Sequence, residues 1–139
     1  MYGKDAVIYA PGLRYSRDKN VQGIAEAVEA VKNADVVVMV AGEEAVLSGE
    51  AHSRADISLP GAQTKMIEAL KATGKPLVLV IMTGRPMTIA YEASLADAVL
   101  YTFHGGTMAG PAIANLLFGN SVPSGKLPVS LPKDRKSVV

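Results

Sequence analysis

Apolar and polar positions alternate along this chain in two rhythms, and each rhythm predicts one kind of element. Four short apolar runs predict β-strands, at 6–9, 36–40, 77–81 and 98–101. The last three are apolar at every position, which is typical of parallel strands covered on both faces by helices. The sequence therefore predicts a parallel sheet whose last three strands are fully buried.

Helical periodicity fills the gaps between these strands. After the first strand, apolar residues recur at spacings of three and four, and Asp18 is placed to cap the helix. The apolar positions of this helix are Val21, Ile24, Ala25, Val28 and Val31. Three further helices are predicted over 62–73, 88–95 and 110–118. Gly74 is expected at the C-terminus of the first of these, and the proline-flanked segment 127–131 at a sheet edge or on the surface.

Strands that alternate with helices at this spacing predict the α/β class. We expect a three-layer α/β/α sandwich with a mostly parallel, flavodoxin-like sheet, and 139 residues suit one domain over 1–139. The chain opens almost directly in its first predicted strand, with no βα unit before it. This start favours a domain cut at its N-terminal side.

The composition of the chain excludes several classes of partner and of chemistry. Fourteen Lys and Arg against thirteen Asp and Glu leave no basic excess for binding nucleic acid or a membrane surface. The absence of cysteine excludes disulfides and thiolate chemistry. No run is long enough to cross a membrane, and the first residues lack the apolar core of a signal peptide. We expect a soluble chain, while a periplasmic, secreted or cytoplasmic parent protein stays open.

Most candidate chemistry falls in the long loop 43–60, after the second predicted strand. In open parallel sheets, ligands bind beyond the carboxyl ends of the strands, where this loop begins. Glu43, Glu44 and Glu50 lie within eight residues, which suggests acid/base chemistry, although loop carboxylates are commonly just solvated. His52 and His104 lack metal-ligand spacing, and no phosphate-binding glycine motif is present. We therefore expect neither a metal nor another cofactor.

Five segments, taken in order, resemble the C-terminal α/β sandwich domain of family 3 glycoside hydrolases, the β-glucosidase and β-xylosidase type. They are 34–43, 48–60, 77–86, 103–114 and 117–128. The last is quite specific, with Leu-Phe-Gly followed by Pro-Ser-Gly-Lys-Leu-Pro. The resemblance spans nearly the whole chain and is closest to bacterial β-glucosidases.

The resemblance implies a retaining glycosidase that uses two carboxyl groups. The nucleophile would be an aspartate on a (β/α)8 barrel, which this chain lacks, so we expect a fragment that is inactive alone. The general acid/base would be Glu50, in Ser-Gly-Glu-Ala, with Glu44 as the weaker alternative and Glu43 as a structural residue. Arg54 and Asp56 match positions that brace the loop, and His104 joins them as a substrate-binding or loop-bracing candidate.

The expected partners follow from this resemblance. They are a β-linked oligosaccharide or aryl glycoside, a barrel domain or chain, and a second copy of this chain. Without the barrel, Glu50 is expected to be exposed on a floppy loop. The alternative function is a non-catalytic α/β module that binds a sugar or a nucleotide. An unrelated flavodoxin-like nucleotide or coenzyme A domain is disfavoured by the missing phosphate motif.

Overall fold

Three parallel strands form the sheet in a computed structural model that describes residues 6–134 and 136. They are β1 (Val37–Gly42), β2 (Leu77–Met82) and β3 (Ala98–Tyr101), in the order β1-β2-β3. Val40 lies opposite Val80, and Val80 lies opposite Leu100. Because the strands run parallel, their carboxyl ends meet at one edge of the sheet.

Four helices alternate with these strands along the chain. They are α1 (Gln22–Val31), α2 (Gln63–Lys71), α3 (Ala90–Leu95) and α4 (Ala109–Leu117). Each lies within two residues of its prediction at both ends, apart from the start of α1, which the pattern did not fix. The predicted parallel α/β sandwich is confirmed. Among the helices of the described residues, none combines the length and apolarity required to traverse a bilayer.

The core lies between one face of the sheet and the helices α1 and α2. On that face β1 and β2 bury alternate side chains, as period-two geometry requires. The strands contribute Val37, Met39, Ala41, Leu77, Leu79 and Ile81. The helices contribute Ala27, Val31, Met66, Ile67 and Leu70. This packing fixes the sheet edge from which the long loop departs.

The opposite face of the sheet is covered unevenly. Val38 and Val40 of β1 are 46% and 60% exposed there, and Ala98 of β3, on the same face, is also exposed. The prediction that β1 and β3 are fully buried is therefore wrong, whereas β2 is buried at four of its five predicted positions, with Val78 half-buried. The reason is position: β2 lies between two neighbours, and the other strands have only one each in the described sheet.

Two further predictions are corrected, and a third, which placed 127–131 at a sheet edge or on the surface, is resolved in favour of the surface. The segment 6–9 forms no strand, and its apolar side chains are exposed, because an apolar run without a partner strand gains no ladder of hydrogen bonds. Asp18 does not cap α1; its carboxylate instead accepts the backbone N–H groups of Arg14 and Asn20 at 3.2 and 2.8 Å. The segment 127–131 lies largely on the surface and joins no sheet.

Truncation of two valines that are neighbours in register tests this uneven cover. Val80→Ala removes a fully buried side chain and is expected to lower the free energy of unfolding by about 2 kcal/mol. Val40→Ala removes an exposed one and is expected to cost less than about 1 kcal/mol. Urea unfolding measures both, and equal losses would contradict the arrangement.

Candidate active-site loop

The loop 43–60 leaves the carboxyl end of β1 and is fastened at its base by Gln63. The amide nitrogen of this buried residue lies 2.8 and 3.1 Å from the carbonyl oxygens of Gly42 and Pro60. Its amide oxygen accepts the N–H of Gly42 at 2.7 Å. One side chain at the start of α2 thus joins the two ends of the loop.

A buried carboxylate holds the middle of the loop. The side chain of Glu43 is 0% exposed, and Arg54 and Arg85 both bond to it. Arg54 donates to Oε1, while Oε2 accepts Nε of Arg85 at 2.9 Å and the hydroxyl of Thr83 at 3.1 Å. The arginine side chains are themselves only 19% and 18% exposed. One negative charge therefore lies between two positive charges, largely shielded from water.

The net effect on Glu43 is a stabilised anion. Burial alone raises the pKa of this carboxyl, but hydrogen bonds from Arg54, Arg85 and Thr83 outweigh it and hold the pKa below its ordinary value. A carboxyl that is saturated with donors and ionised cannot serve as a proton donor near neutral pH. The geometry makes Glu43 a structural anion.

Arg85 also reaches the loop backbone. Its Nη2 donates to the carbonyl oxygen of His52 at 2.8 Å and to that of Leu47. These two carbonyls bracket residues 48–51. Arg85 therefore closes the segment 47–52, which contains Glu50.

Within this segment, Glu50 lies at the tip of a tight turn. The N–H of His52 donates to the carbonyl of Gly49 at 3.2 Å, which leaves Glu50 and Ala51 as the two central residues. Ala51 has a φ of 61°, in the left-handed region that favours glycine. Glu50 is exposed at this tip.

The turn lies close against the loop that follows β2. A Cβ added at Gly84 would come 1.7 Å from the hydroxyl oxygen of Ser48 and 3.2 Å from Cδ2 of His104. Only glycine permits this approach. The Glu50 turn, Gly84 and His104 therefore meet at the carboxyl edge of the sheet.

Comparison with known proteins agrees with this fold. The model of the glycosyl hydrolase family 3 C-terminal domain matches residues 5–139. The chain belongs to this family. It is 45% identical to a periplasmic beta-glucosidase of Salmonella typhimurium, over 91% of this chain and 19% of that protein. It is 44% identical to a beta-xylosidase of Formosa agariphila, over 81% of this chain and 16% of that protein.

Solved structures of family 3 enzymes superpose on the chain. A beta-glucosidase from Listeria innocua in complex with isofagomine has a TM-score of 0.82 at 38% identity, over 86% of this chain and 17% of that one. The GH3 beta-glucosidase of Bifidobacterium adolescentis has a TM-score of 0.86 at 34% identity, over 93% of this chain and 19% of that one. The chain thus spans less than a fifth of the length of these relatives.

The other sequence candidates of this family 3 domain occupy distinct places around the loop. Arg54 binds Glu43 and lies 3.4 Å from the carbonyl of Ser58, and Asp56 accepts the N–H and hydroxyl of Ser58 at 3.0 and 2.7 Å. His104 is exposed beside Gly84. Glu50 is exposed as expected, but its loop is braced at both ends instead of floppy.

Glu44, the alternative acid/base, has different surroundings. Its carboxylate accepts the hydroxyl of Ser16 at 2.7 Å and Nε of Arg17 at 3.1 Å. These hydrogen bonds, first from Ser16 and then from Arg17, lower its pKa. A general acid needs a carboxyl that is readily protonated, so these bonds make Glu44 poorly suited to that role.

Sequence reasoning predicts only part of the network that braces the loop, namely a salt bridge by which Arg85 pins the loop to the domain. The bond of Gln63 across the loop ends had no motif to mark it, and the bond of Thr83 to Glu43 and the two-carbonyl contact of Arg85 depend on tertiary structure. A partial signal was available: Glu43 directly follows a buried strand, where an acidic residue needs a partner.

Glu43→Gln tests the buried anion. The variant leaves two buried guanidinium groups without their shared counter-charge, so we expect a loss of about 3 kcal/mol at about pH 7. In the wild type, the folded-state pKa lies below the ordinary 4.5, so this stabilisation is present above that value and is lost as pH falls through the folded pKa. Urea unfolding across this pH range should show that the stability of Glu43→Gln falls less steeply towards acid pH than that of Glu26→Gln, which changes an exposed residue of α1. Parallel declines would contradict the assignment.

Ala51→Gly tests the strain beside Glu50. Left-handed backbone costs an alanine about 1–2 kcal/mol, and glycine's greater unfolded-state freedom offsets about half of that gain. We therefore expect Ala51→Gly to stabilise the chain by about 0.5–1 kcal/mol. Ala25→Gly, on the exposed side of α1, should instead destabilise by a similar amount. Thermal unfolding compares the two variants, and destabilisation by both would refute the left-handed turn.

Proposed function

We propose that this domain supplies the general acid/base of a retaining β-glycosidase, and that Glu50 is this residue. The observation that carries the proposal is the contrast among the three loop glutamates. Glu43 and Glu44 are each held by arginine, whereas Glu50 is exposed at the tip of a braced turn. An acid/base must reach substrate, and of the three only Glu50 is presented outward.

The chemistry requires a second carboxyl from outside this chain. In a retaining glycosidase, the acid/base and the nucleophile lie about 5–5.5 Å apart. We propose an aspartate nucleophile on a (β/α)8 barrel that faces the carboxyl edge of the sheet. Glu50 would protonate the departing glycosidic oxygen while the aspartate attacks the anomeric carbon. Glu50, now ionised, would then remove a proton from the water molecule that attacks the covalent intermediate and releases the sugar.

The substrate class follows from the relatives, which include a periplasmic beta-glucosidase and a beta-xylosidase. We propose β-linked oligosaccharides and aryl β-glycosides as substrates. We also propose that the chain alone is inactive, because the reaction needs two carboxyl groups and only Glu50 of the three loop glutamates is presented outward.

A fusion enzyme tests the role of Glu50. The chain replaces its matched segment in the Salmonella relative, and Glu50→Gln is compared with wild type on aryl β-glucosides of different leaving-group acidity. We expect kcat/KM to fall about 10²- to 10⁴-fold for a phenyl leaving group, which needs a proton. The loss should be far smaller for 2,4-dinitrophenyl, which leaves as a stable anion.

The matched control is Glu26→Gln, a distant exposed carboxyl on α1, which should behave as wild type. The pH–rate profile of Glu50→Gln should also lose its alkaline limb. An equal, small effect of Glu50→Gln on kcat/KM for all leaving groups would refute the assignment. If sugar binding were also retained, that result would favour a non-catalytic binding module. Turnover by the isolated chain would refute the need for an external nucleophile.

A further inference from the structure

We propose that Arg85 is the positioning residue of Glu50, an inference that rests on the function proposed above. Arg85 acts through the loop backbone, by joining the two ends of the segment 47–52 to the sheet. The domain would then present Glu50 in a set position before any barrel is added.

The guanidinium of Arg85 joins three separate points. Its Nε donates to Glu43 at 2.9 Å, and its Nη2 donates to the carbonyls of Leu47 and His52. The side chain is largely buried, so water competes little for these acceptors. Arginine's planar fork suits several acceptors at fixed angles, which the single ammonium of lysine cannot reproduce.

The backbone of Arg85 is itself fixed to the sheet. Tyr101, at the end of β3, donates its hydroxyl proton to the carbonyl of Arg85 at 2.7 Å and accepts the N–H of Met87 at 3.1 Å. The hydroxyl of Thr83 lies 3.3 Å from the N–H of Arg85. Hydrogen bonds from residues at the ends of β2 and β3 therefore fix the backbone from which the guanidinium extends.

The segment that carries Glu50 needs such a brace. Its backbone hydrogen bonds run from Leu47 to Glu44, from Ser48 to Ala45 and from His52 to Gly49, so they link only near neighbours along the loop. Ala51 adopts a left-handed conformation that local energetics disfavour. Without Arg85, we expect the turn to sample other conformations and to displace Glu50.

Arg85→Lys tests the inference first in the chain itself. Lysine keeps the charge beside Glu43 but cannot bind both carbonyls, so amide hydrogen exchange at Ser48 and His52 should accelerate about tenfold or more. The amides of β2 should exchange at wild-type rates. The matched control is Arg17→Lys, which changes an arginine in the exposed ion pair with Glu44. This variant should leave the amide exchange rates of Ser48 and His52 unchanged.

The second arm measures activity in the fusion enzyme. A shift of about 1 Å in a catalytic group can cost about 100-fold, so Arg85→Lys should lower kcat for the phenyl glucoside by about 10- to 100-fold. KM should change little, and 2,4-dinitrophenyl glucoside should be affected much less. A merely structural role would lower the rates for both leaving groups equally.

The outcomes separate this inference from the proposed function. Unchanged exchange at Ser48 and His52, or faster exchange with an unaltered leaving-group pattern, would overturn the role of Arg85. If Glu50→Gln itself shows no leaving-group dependence, the proposed function fails, and with it the role of Arg85 in catalysis.

A second variant acts from the other side of the contact, in case Arg85→Lys also accelerates exchange in β2. Gly84→Ala would place a Cβ 2.6 Å from that of Ser48 and so push the segment away while leaving Arg85 and Glu43 intact. Gly84→Ala should reproduce both the faster amide exchange at Ser48 and His52 and the larger loss of kcat for the phenyl than for the 2,4-dinitrophenyl glucoside. Failure to reproduce either would overturn the inference.

Discussion

The carboxylate of Glu43, buried between two guanidinium groups at the end of β1, determines the path of the loop that follows. Buried ion pairs contribute little net stability, because desolvation offsets most of their attraction, but breaking one is costly. Their value here is geometric. Arg54 comes from the far part of the loop and Arg85 from the turn after β2, and both pair with Glu43. One negative charge therefore holds together the end of β1, the loop and the turn after β2.

The same constraint separates the roles of three glutamates that look alike in the sequence. Both carboxylate oxygens of Glu43 accept hydrogen bonds from donors within the domain, and Glu44 binds Ser16 and Arg17. Glu50 follows a glycine, at a turn whose ends are held by Arg85. Environment, more than residue type, decides which carboxyl remains available for chemistry.

The sequence predicted the sandwich and β2 well, because a continuous apolar run between helical patterns has few other interpretations. It failed for the burial of β1 and β3 and for a strand at 6–9, because an apolar run shows that a strand can be buried and not which layer covers it. The resemblance to family 3 singled out Glu50, Arg54 and Asp56, but not the carbonyl contacts of Arg85. Those contacts join residues far apart in the chain, and no local pattern encodes them.

The most direct test of the central claim is the product that Glu50→Ala in the fusion enzyme forms from 2,4-dinitrophenyl β-glucoside, whose leaving group needs no proton, when azide is present. Azide needs no general base, so it should attack the covalent intermediate, restore turnover and release a β-glycosyl azide. That product would identify Glu50 as the acid/base of a retaining mechanism. An α-glycosyl azide would identify Glu50 as the nucleophile, and the absence of rescue with wild-type-like hydrolysis would remove Glu50 from catalysis.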